Sequence, residues 1–184
     1  PTVLAAEHVP LGDPTGKRGS ETAPRFDGVF RLDVDHDAAA ELIPWSKPPL
    51  EVAVTLPTGT TLHLIGVHAK SKAPHGARND AEAMRISIEN RRKQLAQCIW
   101  LRQRVDQHLA AGHDLMVMGD FNDGPGLDEY EKLFGRSSIE VVLGEGDAAR
   151  LFDPHARIAL GRRIGAMPST SRFKRQGQPY LQAL

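Results

Sequence analysis

Asp114-Leu115-Met116-Val117-Met118-Gly119-Asp120-Phe121-Asn122 is the stretch on which the reading of this chain turns. Its opening residues are nearly all apolar, the pattern of a strand buried on both faces. Gly119 closes the run, and Asp120 to Gly126 (DFNDGPG) reads as a tight loop. A strand packed on both sides is a rigid mount, so side chains at its end are held accurately. Asp120 brings a carboxylate, able to take a proton from water or to hold a hard cation. Asn122 brings an amide that both donates and accepts, suited to orienting that carboxylate, a water or a phosphate oxygen. The same spacing also suits plain Asx turns in a Gly/Pro loop. A calcium loop fits less well: Asp120, Asn122 and Glu131 fall at positions 1, 3 and 12, but position 6 is Pro125 and a strand precedes.

Upstream, Leu50 to Leu56 (LEVAVTL) alternates apolar and polar residues, Pro57-Thr58-Gly59 is a turn, and Thr60 to His68 (TTLHLIGVH) is a second strand. Together they predict a hairpin. His68 at its end shares a face with Leu62 and Leu64, while His63 points the other way. With Lys70, Ser71 and Lys72 just after it, His68 suits contact with a phosphate, where an imidazole N–H steadies charge on a non-bridging oxygen. The plainer alternative is a satisfied, partly buried histidine.

Between hairpin and buried strand, Asn79 starts a long helix, with Glu82 in capping-box spacing and Gly112 at its end. Ala81, Met84, Ile88, Leu95, Ile99, Val105 and Leu109 predict its apolar face. Arg91, Arg92 and Arg102 interrupt or border that face, stems on apolar surface and charges outside. Arg92 and Gln94 are placed to support the site from behind, although helix surface is the default reading. Residues 7–48 read as long loops with a short strand at Val29 to Val34. Downstream, Asp128 to Phe134 reads as a short helix and Ile139 to Leu143 as a strand. Hairpin, helix, buried strand and loop in that order give an α/β class.

Composition sets the bounds. The chain has 184 residues, 40% hydrophobic and 25% charged, with formal net charge zero. That suits one domain with a sizeable core and no global basic field drawing it to nucleic acid. Charge is uneven: residues 1–45 carry eight acids against four bases, and residues 150–184 carry seven Arg/Lys against Asp153 alone. The basic tail reads as a solvated surface, or as one facing a phosphate-bearing ligand. No run approaches the roughly 20 apolar residues of a membrane-spanning helix. The single Cys98 excludes an intramolecular disulfide and any Cys-cluster metal site, and its place on the helix predicts a buried, unreactive thiol. His63, His75, His108, His113 and His155 show no ligand-like spacing and read as surface or packing residues. Aromatic residues make up only 5%, so no base-stacking platform is evident.

Pro48-Pro49-Leu50-Glu51-Val52, then Leu64-Ile-Gly-Val-His-Ala-Lys-Ser-Lys72, then Arg92 and Gln94, then Val117-Met-Gly-Asp-Phe-Asn122 appear in an order that resembles the endonuclease/exonuclease/phosphatase superfamily. That group includes pancreatic-type deoxyribonuclease, abasic-site endonucleases, inositol-polyphosphate phosphatases and bacterial sphingomyelinases. The resemblance is clear over roughly residues 47–126 and continues weakly through Pro168 to Arg172 and Gln178 to Leu184. It implies a four-layer α-β-β-α sandwich and metal-dependent hydrolysis of a phosphodiester or phosphomonoester, by in-line attack of water. It implies Mg2+ or Mn2+ as cofactor, with Asp120 and Asn122 near the metal. By residue, Asp120 looks like the aspartate that positions or deprotonates the water, Asn122 its amide partner, and His68 the histidine on the scissile phosphate. Lys70 and Ser71 are the accompanying phosphate contacts. Nucleic acid and a phospholipid head group are both suitable substrates. The alternative is a non-catalytic phosphate- or partner-binding module of the same fold.

The departures are specific. The family's N-terminal Asn and metal-binding Glu are not matched, Glu7 having no fitting context, and the chain stops at Leu184 where a Leu-Asp-His-like element is due. His155 stands in an unmatched setting. The expectation is a single domain over residues 1–184 that is an internal fragment, inactive or nearly so by itself because catalytic groups that act as a unit fail as a unit. Unpaired sheet edges in such a fragment favour self-association as a homo-oligomer, or pairing with the missing pieces.

Overall fold

The computed structural model describes residues 5–8, 26, 29–32, 41–123, 137–146, 149–153, 171–175 and 178–182. The hairpin is formed by β4 (Leu50–Thr55) and β5 (Thr61–His68), paired antiparallel with Leu50 opposite Gly66 and Thr55 opposite Thr61. The turn is closed by Leu56 N–H to Thr60 O (2.8 Å) and Gly59 N–H to Leu56 O (2.9 Å), with Gly59 at φ +84°. A 31-residue helix, α1 (Asp80–Ala110), then carries the chain to β6 (Asp114–Asp120), which pairs parallel to β5. Parallel neighbours require such a crossover. With β1 (Ala5–His8) antiparallel to β4, the mixed sheet runs β1-β4-β5-β6. Two further hairpins stand apart in pairing: β2 (Val29–Leu32) with β3 (Glu41–Pro44), and β7 (Ser171–Arg175) with β8 (Gln178–Gln182). The fold is α/β. Strand β3 and the last two residues of β1 fall in the segment read from sequence as loops, and β2 matches the short strand expected there.

The helix begins and ends where its caps dictate. Asn79 takes the Glu82 N–H on its side chain (2.9 Å), while the Glu82 carboxylate accepts from Arg78 N–H (2.9 Å). Gly112, at φ +71°, turns the chain out after Ala111. The buried stripe is only in part the predicted one: Leu95 and Val105 are buried as expected, and Leu109 packs against the core. Ser87, Arg91, Gln94, Cys98, Leu101, Val105 and His108 lie inward at alternating four- and three-residue steps, whereas Met84 is 55% exposed and Ala81 is exposed. The apolar-residue count misplaced part of the face because both ends of the stripe are polar, engaged in fixing other parts of the fold. Arg91 is wholly buried, not snorkelling outward.

Ile65 and Val67 of β5 pack under α1 with Cys98, Leu101 and Val105, and Phe26, Trp45 and Trp100 extend that core. The three aromatic rings meet at centroid separations of 6.0–6.2 Å, Phe26 edge-on to Trp45. Burial pushes the Cys98 thiol up to about 12, with the Asp123 carboxylate adding to the shift, so this sulfur is packing and not a nucleophile.

Two strand expectations are corrected. Among the described residues β6 is not covered on both sides: Met116 and Met118 are 49% and 43% exposed. They share the outer face with Leu50, Val52, Val54, Leu62 and Leu64 by register, and Leu50 is 51% exposed. An all-apolar run records the capacity to be covered twice, and here α1 covers one face. Ile139 to Leu143 is not a strand but lies in α2 (Ser138–Leu143). The β-branched residues favour a strand, but Ser137 and Glu140 form a complete capping box, and those local hydrogen bonds override side-chain propensity. The helix expected at Asp128 to Phe134 and the setting of His155 lie outside the described residues. No helix among the described residues is long and apolar enough to cross a membrane.

Candidate functional site

β5 and β6 run parallel, so their carboxyl ends finish side by side. His68 is the register partner of Asp120, and residues paired across parallel strands present side chains to the same face. Ligands of α/β sheets commonly bind outside the carboxyl ends of strands. The pairing is continued by Ala69 N–H donating to Asp120 O (2.8 Å). Gly119 makes the approach possible: it sits at φ +139°, and a Cβ there would overlap the Val67 carbonyl oxygen.

Asn122 stands at φ +52°, in the left-handed region that asparagine tolerates better than most residues. Two contacts hold it. Its backbone N–H donates to Asp120 Oδ1 (2.8 Å), and its side-chain Nδ2 donates to Ala69 O (3.0 Å). The first is an Asx turn, so the turn reading of Asp120-Phe-Asn122 and its place beside His68 hold together. Gln94 secures the loop from behind, its Nε2 donating to Phe121 O (2.8 Å) and Asn122 O (2.9 Å) from a fully buried position.

Of the other expected phosphate contacts, Lys70 is fixed by its backbone N–H to Gln97 Oε1 (2.9 Å). Ser71 Oγ accepts from Ala73 N–H (3.2 Å), and its hydroxyl hydrogen can still point outward. Lys47 Nζ lies 3.1 Å from His68 Nδ1, a cation supplied by the segment between β3 and β4.

Asp123 is the residue that sequence reasoning missed at this end. Its carboxylate is 4 Å or closer to two cations, Lys72 Nζ (3.1 Å) and Arg91 NH1 (3.4 Å), and accepts from Ser138 N–H (2.8 Å). Arg91 also reaches Gln94 Oε1 (2.6 Å). The network joins the loop after β6, helix α1 and the start of α2. The Arg91/Gln94 pair, one helical turn apart, was the available signal. A pocket lined by Ile99, Arg102, Gln103, Val141, Gly144 and Glu145 shares no residue with this site.

A second polar cluster lies on the core face of the sheet, against the last turns of α1, with Glu51 opposite Ile65 and His63 opposite Ala53. Glu51, on the core face of β4, takes Arg104 Nε (3.0 Å) and NH2 (2.5 Å) and lies 2.9 Å from His108 Nε2. Burial alone would raise the Glu51 pKa, but the His108 and Arg104 contacts outweigh it and hold the group at about 2. His63 and His113 complete the cluster, their rings stacked at 4.1 Å. The three histidines are therefore not scattered surface or packing residues. Their separation in sequence hid a cluster that only the crossover assembles.

A depressed carboxylate pKa contributes stability that is present above the unfolded value and lost as pH falls through the folded one. For Glu51 the window runs from about 4.5 down to about 2, worth on the order of 3 kcal/mol. Acid titration followed by circular dichroism is expected to show stability falling over that window, and Glu51→Gln to flatten the fall. An unchanged acid profile in the variant would show the cluster to be energetically idle.

Comparison with models of protein families, with curated proteins and with solved structures finds no match to this chain.

Proposed function

We propose that the chain is a metal-dependent phosphoester hydrolase domain, nuclease-like, of the endonuclease/exonuclease/phosphatase type. The observation that carries the reading is the pairing of His68 with Asp120 at the carboxyl ends of adjacent parallel strands. An imidazole beside a carboxylate on one rigid edge suits in-line hydrolysis of a phosphate ester, one group steadying the phosphoryl oxygens and the other the water. The apolar outer face of the same sheet, bearing Leu50, Met116 and Met118, suits the second sheet of a four-layer sandwich.

In this reading Asp120 orients the attacking water and accepts its proton. His68 donates an N–H to a non-bridging phosphate oxygen, and Lys70 and Ser71 add positive charge and a hydroxyl donor. Asn122, locked by Ala69 and Asp120, keeps the carboxylate in one orientation. Asp120 with the Asn122 amide oxygen would hold Mg2+ or Mn2+, a thin donor set that fits a cation commonly bound through one or two carboxylates plus substrate phosphate. Such a cation, when bound, neutralises charge building on the phosphoryl oxygens.

The non-catalytic alternative draws on one observation: Asp120 Oδ1 already accepts the Asn122 N–H, a structural duty that a phosphate-binding loop would also need. The test is an NMR titration with Mn2+ and a dinucleotide phosphodiester, with hydrolysis followed in parallel. Line broadening is expected to centre on His68, Asp120 and Asn122. Asp120→Ala should weaken it roughly tenfold or more, the loss of a charge-assisted contact. Broadening centred elsewhere, or indifferent to Asp120→Ala, removes the reading. Asp120-dependent turnover would select the hydrolase over the binding module.

A further inference from the structure

His63 on β5, His108 in the last turn of α1 and His113 in the α1–β6 loop converge on the core face of the sheet, and we propose that they form a binding site for a zinc-class divalent ion. Each offers a ring nitrogen, and the three nitrogens lie within 4.8 Å of one another. On a tetrahedral zinc with bonds of about 2.0–2.1 Å, neighbouring donors stand about 3.3 Å apart. The required contraction is small, and His113, the exposed member, is free to supply it by leaving its stack on His63.

Three features separate this from incidental packing. His63 Nδ1 is sealed from solvent and has no hydrogen-bond partner among the described residues, an arrangement that leaves a buried polar atom unsatisfied. His108 Nδ1 and His113 Nδ1 are 3.0 Å apart and share one hydrogen bond, so a cation taking the place of the shared proton would be met by both nitrogens. The other nitrogen of His108, Nε2, lies 2.9 Å from Glu51 Oε1, the carboxylate–histidine arrangement that fixes ligand tautomer and raises basicity in metal sites. Arg104 pairs with the same carboxylate, so the local charges of Glu51 and Arg104 offset and do not repel a cation strongly. Burial, then the neighbouring His113 and His108, lower the His63 pKa, which favours the neutral imidazole that a metal needs.

The backbone holds the frame. His113 N–H donates to His108 O (3.0 Å), and Gly112 at φ +71° lets the chain fold back so tightly. All-nitrogen donation selects zinc, nickel, copper or cobalt over magnesium, which prefers oxygen. Three protein ligands leave a fourth position for water on the exposed His113 side. A bound ion would pin β5, the end of α1 and the entry to β6 at one point. The site lies about 16 Å along β5 from His68, five residues at about 3.3 Å each, and is independent of the hydrolase reading.

Cobalt(II) is the probe, titrated into metal-free chain and read by visible absorption and thermal unfolding. The expected result is one equivalent per chain with Kd about 1 µM or tighter, the intense absorption of tetrahedral cobalt, and a higher Tm. Zinc should displace it, and millimolar magnesium should not. His113→Ala, at an exposed position where folding is not at stake, should weaken binding about 100-fold, while Asp120→Ala should leave it unchanged. Weak octahedral cobalt spectra, several equivalents at similar affinity, or binding untouched by His113→Ala would overturn the site.

Discussion

Asp123→Ala is expected to cost about 3–5 kcal/mol of stability, the range for stranding one member of a buried ion pair. Asp123 and Arg91 are 4% and 0% exposed, and Arg91 NH1 lies 3.4 Å from Asp123 Oδ2. Without the carboxylate, the buried Arg91 charge loses the countercharge that Asp123 supplies. The Ser138 N–H, one of the first of α2, loses its acceptor as well. Urea unfolding is the measurement, with the midpoint shifted and the slope unchanged. The double variant Arg91→Met/Asp123→Leu is expected to recover part of the loss, since removing both charges avoids the stranded one. The exposed Arg85–Glu89 pair, 3.9 Å apart, is the control, and Glu89→Ala should change stability by less than about 0.5 kcal/mol. Equal losses at the two places would mean that the buried network carries no special weight.

The second large effect is expected at Gly119. Alanine there must hold φ +139° and place its Cβ against the Val67 backbone, 2.8 Å from both its N and its C atoms. Val67 is the register partner in the adjacent strand, so relief requires β5 and β6 to separate. Backbone strain of about 1–3 kcal/mol and crowding of about 1–3 kcal/mol sum to roughly 2–6 kcal/mol. For a chain of this size each kcal/mol lowers Tm by about 2–4 °C. Gly66→Ala is the matched control: its Cβ would meet only Leu50 atoms at 3.8 Å, ordinary contact. Gly119→Ala is also expected to move Asp120 off its place beside His68, so ligand-induced NMR shifts should fall further than stability alone explains. A Gly119→Ala chain as stable as the Gly66→Ala one would show that the strands give way easily.

The hairpin, the long helix and the parallel strand were legible because each is signalled locally, by alternation, by Asn79 and Gly112, and by the apolar run before Gly119. The shared edge of His68 and Asp120 follows from two strand ends, the first read at His68 as observed and the second at Gly119, one residue short of Asp120. What was hidden depends on residues brought together from afar. Arg91, read as a surface charge, is buried because Asp123 waits for it 32 residues later. Ile139 to Leu143 looked like a strand because its β-branched side chains speak louder in sequence than Ser137 and Glu140. The histidine cluster draws on β5, α1 and a loop, and no spacing rule joins His63 to His108.

The open sheet face has one more consequence, and it is redox chemistry. Met116 and Met118 put two thioether sulfurs at the surface among aliphatic neighbours. Peroxide converts such sulfurs to sulfoxides, replacing a soft apolar contact with a strong dipole. While the face stands uncovered, oxidation would make it hydrophilic without touching the core beneath α1, and would spoil it for any sheet that later packs there.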